Sequence, residues 1–211
     1  FKNLSKKLIM KPNKTIIYFS VVTGMGYGMI IVLSLLINTK LTSLSLNIKL
    51  FFSIISFFLI FSGVLISIIC LGFQKKIWRV ISQWKNSWTS REILFAIIAF
   101  IPLILFYFSW IIFKNEILTK IFLICSSLCA ILTIYSTSKI YSSSKSIPEW
   151  NNPFVPILYI LNGIVSGSLI LFLIFYYFKI ESYFLHNFII IILPTTFFLK
   201  LLYWISIKKS K

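Results

Sequence analysis

Acidic residues are scarce in this chain: there are four, against twenty-one lysines and arginines in 211 residues. The formal net charge of +17 at pH 7 would suit a nucleic-acid partner if the basic residues formed a patch. They do not. They sit between apolar runs, where they orient a chain in a bilayer and meet anionic headgroups. Membrane lipid is the expected partner, and nucleic acid is not. Histidine is scarcer still, with His186 alone. One histidine cannot supply both axial ligands of a b-type haem, so no haem is expected, and Cys–His zinc spacing is missing. His186 reads as an interfacial polar residue at the start of the last apolar run. The three cysteines, Cys70, Cys125 and Cys129, all fall inside apolar runs, which argues against a disulfide framework. Cys125 and Cys129 are four apart, share a helix face and read as small buried packing residues. No metal, iron–sulfur cluster or molybdenum is expected in this chain.

What the chain has in quantity is apolar length. It is 59% hydrophobic and 12% charged, with a mean hydropathy of +0.96. Apolar runs of eighteen or more residues read as membrane spans. Six can be drawn, at about 15–38, 49–73, 92–113, 117–140, 154–178 and 184–207. Lipid leaves only helices or closed barrels as spanning structures, and these runs lack the alternation of barrel strands. The expected fold is an all-α integral membrane protein, a bundle of about six transmembrane helices forming one domain over 1–211. The first run is too long for the apolar region of a cleavable signal and lacks a small-residue cleavage site. No internal repeat is visible.

Fifteen lysines and arginines fall on the side shared by both termini, five fall on the other, and Lys200 lies within the last span. The bias predicts both termini in the cytoplasm, together with the loops 74–91 and 141–153. Those two loops are also the richest chemically. The first carries Gln74, Trp78, Arg79, Trp84, Trp88 and Arg91; the second is punctuated by Pro148 and Pro153. The opposite loops, 114–116 and 179–183, are very short. One decorated face suggests a docking surface for a soluble partner.

Gly24-Met-Gly26-Tyr-Gly28 follows no strand and lies in an apolar run, so it is not a nucleotide loop. Small residues four apart let helices approach closely, and Gly163 and Gly167 repeat the spacing. The functional alternative is that Gly24–Gly28 lets a flat ligand lie against the helix backbone. Trp78, Trp84, Trp88 and Trp150 read as an aromatic belt or as a wall for a planar ligand or partner; Lys200 reads as snorkelling. Glu92 opens the third run beside Arg91. It could simply favour the positive end of a helix. It could also be a base for a reduced quinone, whose oxidation releases two electrons and two protons.

Four segments resemble a known family. They are Pro12 to Gly28; Leu71-Gly72 with Trp78-Arg79, Ser82-Gln83-Trp84 and Ser87-Trp88-Thr89-Ser90-Arg91-Glu92; Ile140-Tyr141 through Ile147-Pro148, Trp150 and Pro156; and Lys200 to Trp204. In this order they resemble the DmsC-type membrane anchor subunits of DMSO reductase and related molybdoenzymes. The resemblance implies an anchor that holds a four-cluster iron–sulfur subunit and a molybdopterin catalytic subunit. It implies oxidation of menaquinol or ubiquinol, delivery of electrons to the iron–sulfur subunit, and no haem. The family's glutamate maps to Glu92. Its usual histidine maps to Cys70, and a neutral thiol exchanges protons poorly. Such anchors commonly have eight spans where six are drawn here. The best-known members also place the glutamate loop in the periplasm, against the charge bias of this chain.

The resulting expectation is a quinol-oxidising anchor of the bacterial inner membrane with Glu92 as proton acceptor. Cys70, Gln74, Arg79, Trp88, Ser90 and Arg91 would form the quinol pocket or touch the partner. The rivals are a purely structural anchor with a degenerate quinol site and a small transporter. The transporter would call for a buried acid at the bilayer midplane and repeated halves.

Overall fold

A computed structural model describes residues 14–39, 46–70, 83–144, 147 and 149–209; side chains are described from 18 in the first helix, over 50–66 in the second, and up to 208 in the last. Six helices follow one another: α1 (Lys14–Asn38), α2 (Leu46–Cys70), α3 (Trp88–Ile111), α4 (Glu116–Ser142), α5 (Phe154–Tyr177) and α6 (Tyr183–Lys209). No strand occurs among the described residues. At about 36–40 Å, helices of this length exceed the hydrocarbon core of a bilayer, about 30 Å thick. Tyr18–Asn38, Trp88–Ile111, Glu116–Ser142, Phe154–Tyr177 and Tyr183–Lys208 are each long and apolar enough to cross it. The sixth, α2, runs for 25 residues and is apolar over Leu50–Ile66.

Side-chain contacts fix the directions. Gly26 faces Ile60 and Thr23 faces Gly63, so α1 and α2 run antiparallel. Gly24 meets Gly163 and Gly28 meets Gly167, so α1 and α5 run parallel. Glu92 meets Thr137 and Ser109 meets Thr119 in an antiparallel α3–α4 hairpin. Phe172 meets His186, as antiparallel α5 and α6 require. The bundle therefore alternates, and 83–91, 141–144, 149–153 and the end of α6 gather at one pole. At that pole Tyr203 donates to the Glu149 carbonyl (3.0 Å) and Asn152 Nδ2 donates to Ser206 Oγ (2.7 Å).

Helix α1 is the most enclosed and α6 the least. Met29, Val32, Leu33 and Leu36 of α1 are fully buried among Phe52, Phe106, Leu123 and Leu171. In lipid the drive for this is close packing rather than escape from water. The glycines serve that packing. A Cβ on Gly28 or Gly167 would collide with the facing helix backbone, and one on Gly26 would stand 2.7 Å from Ile60. Buried hydroxyls bond carbonyls of their own helix, as Ser56 does with Phe52 (2.8 Å) and Ser136 with Leu132 (2.8 Å). Cys125 differs from expectation: it is exposed on α4, turned to the lipid side, while Cys129 one turn on is half-buried. Lys114 and Lys179 turn the two short far loops with left-handed backbones (φ 49° and 55°).

Candidate functional site

The site grows from the start of α3. Ser87 caps the helix in an extended conformation (φ −126°, ψ 129°), its hydroxyl bonded to that of Thr89 at 2.6 Å. Arg91 then turns back onto the preceding segment. Its Nε donates to the Trp84 carbonyl (2.9 Å), its Nη2 donates to the Lys85 carbonyl (2.7 Å), and the guanidinium lies 4.3 Å from the Trp88 ring centroid. With Arg91 holding the loop, the helix starts at Trp88, four residues before the apolar run. Glu92 is consequently one turn inside α3 rather than at its mouth.

Neighbouring positions on a helix face different ways. Arg91 faces the loop and Glu92 faces the bundle, where it is 5% exposed. The carboxylate meets α4: Thr137 Oγ1 donates to Glu92 Oε1 at 2.5 Å. Ser90 is buried beside it. Trp88 packs its edge on Tyr135 of α4 (centroids 6.3 Å apart).

Thr137 also borders a cavity of about 490 Å³ between α1, α4 and α5. This volume falls in the range of small-molecule sites, ~300–1,000 Å³. Ser20, Thr23 and Tyr27 line it from α1, and Tyr159, Asn162 and Ser166 line it from α5. Gly24 borders it too, and a Cβ there would meet nothing within 4 Å. Val21 (47% exposed) and Leu169 (37%) stand at its edge, so it opens sideways towards lipid. Tyr141 stacks on Tyr159 at 5.4 Å, and Trp150 packs edge-on against Tyr141 at 5.2 Å, closing the polar end. The Tyr27 hydroxyl is buried and has no hydrogen-bond partner. The arrangement is a polar pocket in the bilayer, with a carboxylate one hydroxyl away and lateral access for an apolar molecule.

The family model described as "DMSO reductase anchor subunit (DmsC)" matches residues 10–207. The chain belongs to the DmsC family. No curated protein and no solved structure matches it. A DmsC chain is a multi-pass membrane anchor subunit of a DMSO-reductase-like complex, and it serves catalytic and electron-transfer partners.

In this DmsC chain the residues singled out from sequence divide into three groups. Glu92 and Ser90 are buried at the start of α3. Trp88 and Arg91 belong to the pole, with Arg91 bonded to loop carbonyls. Gln74 and Arg79, and the Cys70 side chain, lie outside the described residues. His186 is exposed near the far pole, beside a separate cavity of about 280 Å³ that Glu181 and Tyr176 also line. Sequence reasoning missed Thr137, Tyr27, Tyr159 and Asn162. A signal existed for two of them, because Tyr27 and Asn162 sit directly beside the glycines of the α1–α5 crossing. The packing reading of the glycines holds where helix backbones touch, and Gly24 stands apart from it. Gly28 and Gly167 are packing residues, whereas Gly24 leaves room in the cavity.

Proposed function

We propose that this DmsC anchor binds quinol in the α1–α4–α5 cavity and oxidises it, with Glu92 accepting a quinol proton. The observation that carries this reading is a buried carboxylate hydrogen-bonded to a wall residue of a polar, lipid-open cavity. Oxidation releases two electrons and two protons. A carboxylate near the polar pole supplies a base, and the electron acceptor is an iron–sulfur cluster of a partner subunit. That partner, a four-cluster subunit, docks on the pole formed by 83–91 and 141–153 and passes electrons to a molybdopterin catalytic subunit. The complex sits in the bacterial inner membrane with this pole in the cytoplasm, as the lysine and arginine bias favours. The quinol is menaquinol or ubiquinol.

Glu92→Gln keeps the shape and the Thr137 contact but removes the base. Quinol-dependent reduction by the assembled complex should fall by about 100-fold or more, as for loss of a general base. Reduction driven by a soluble dye that feeds the catalytic subunit directly should be unchanged. Wild-type quinol turnover in this variant would sink the proposal. One observation favours a second reading, a purely structural anchor with a degenerate site: Cys70 stands where the family carries histidine. Saturable binding of a quinol analogue to the complex supports the active site; absence of binding supports the structural anchor.

A further inference from the structure

The carboxylate and the cavity do not meet directly. Thr137 borders the cavity, Glu92 does not, and Thr137 Oγ1 lies 2.5 Å from Glu92 Oε1. The same oxygen is 3.1 Å from the Thr133 carbonyl one turn back. A hydroxyl has one hydrogen and two lone pairs. Its hydrogen can serve only one of these acceptors at a time, and the contact with Glu92 is the shorter. That choice leaves the oxygen able to accept from an O–H in the cavity. Across the cavity stands Tyr27, 2% exposed, with its hydroxyl unpartnered. A buried polar group without a partner is unfavourable, and a ligand oxygen in the cavity would satisfy it. Several other buried serines, such as Ser136 with Leu132, bond a carbonyl of their own helix. Thr137 joins a cavity wall to a carboxylate.

Resting on the reading of the cavity as the quinol site, we propose that Thr137 is the proton relay between quinol and Glu92, and that Tyr27 positions the quinol oxygen. In the step, a quinol hydroxyl donates to Thr137 Oγ1. As one electron leaves for an iron–sulfur cluster of the partner subunit, the quinol O–H bond breaks and its proton binds Thr137 Oγ1. The original Thr137 hydrogen passes to Glu92 Oε1. The quinol has then lost one proton and one electron, the cluster has gained the electron, Glu92 has gained the proton, and Thr137 is regenerated with a different hydrogen. A two-atom shift of this kind needs no movement of Glu92 towards the substrate. It also keeps the carboxylate out of lipid.

The test compares Thr137→Val, Thr137→Ser, Tyr27→Phe and Glu92→Gln in the assembled complex. The readouts are quinol-dependent kcat and KM and the Kd of a redox-inactive quinol analogue. Valine keeps the shape of threonine without the hydroxyl. Thr137→Val should lower kcat by about 10- to 100-fold, in the range of lost acid–base catalysis, with the Kd unchanged for an analogue that has acceptor oxygens but no O–H to give Thr137. Thr137→Ser should recover most of the turnover. Tyr27→Phe should weaken analogue binding about tenfold, the effect of one hydrogen bond, with saturated kcat retained. Wild-type kcat in Thr137→Val alongside an inactive Glu92→Gln overturns the relay and leaves the quinol site standing. Loss of analogue binding in step with kcat in Thr137→Val, or no recovery in Thr137→Ser, also overturns it, because packing would then explain Thr137. An unchanged Kd in Tyr27→Phe overturns the positioning role. Wild-type turnover in all four variants overturns the quinol reading itself.

Discussion

A methyl group on Gly28 would collide with the Gly163 carbonyl, whereas one on Gly24, a single helical turn earlier, would enter open space. The two positions should therefore answer substitution differently. Gly28→Ala forces α1 away from α5 and should cost about 3 kcal/mol or more, at the upper end for overpacking. It would be seen as a lowered thermal midpoint or as failure to assemble. Gly24→Leu should leave the thermal midpoint close to wild type but fill the cavity. Binding of a quinol analogue should be lost while dye-driven activity persists. An assembled Gly24→Leu complex that still binds the analogue would place the ligand elsewhere. At this scale Glu92 was legible because acids are so rare in the chain that each one asks for a reason. Thr137 and Tyr27 were not. Serine and threonine in apolar helices ordinarily bond a carbonyl three or four residues back, as Ser56 and Ser136 do. Nothing in the sequence separates Thr137 from them. Only the antiparallel α3–α4 register brings Glu92, 45 residues away, to its hydroxyl.

Asn115 shows how an element is held at its end. As the N-cap of α4, its side-chain oxygen accepts from the backbone N–H groups of Ile117 (3.0 Å) and Leu118 (3.2 Å). It follows Lys114, whose left-handed backbone completes the turn from α3. Asn115→Ala should destabilise the hairpin by about 1 kcal/mol, measured as a lower thermal midpoint in detergent. Quinol turnover at permissive temperature should be retained, because the Glu92–Thr137 contact lies at the other end of the hairpin. The six helices themselves were legible from hydropathy, since spans in lipid must be long and apolar. Their polar ends were less so. The apolar run suggests a start at 92, yet α3 begins at Trp88. Arg91 supplies the physical reason: its two bonds to loop carbonyls let Thr89, Ser90 and Arg91 join the helix. That single turn moves Glu92 from the membrane edge into the bundle, which changes its chemistry more than it changes the fold.

At the scale of the whole molecule, the two poles differ in kind. Among the described residues, the far pole is built of tight turns at Lys114 and Lys179. The other pole gathers 83–91, 141–144, 149–153 and the end of α6, cross-tied by Tyr203 to Glu149 and Asn152 to Ser206. Three of the segments that carried the family resemblance, apart in sequence, reach this pole. The Glu92 site lies just beneath this pole, so an electron acceptor docked on it would be near the quinol, whereas one docked on the far pole would sit across the bilayer. On the proposed reading, the side of the membrane that holds the iron–sulfur partner is the side that holds this pole. Fifteen basic residues against five favour the cytoplasm for it; the best-known family members would place it in the periplasm. Reporter fusions at Lys85 and Lys114 decide between them. A reporter active only in the cytoplasm should work at Lys85 and fail at Lys114, and one active only after export should do the reverse. Export of the Lys85 fusion would invert the topology, move the partner to the periplasm, and show that the lysine excess does not set the orientation of this chain.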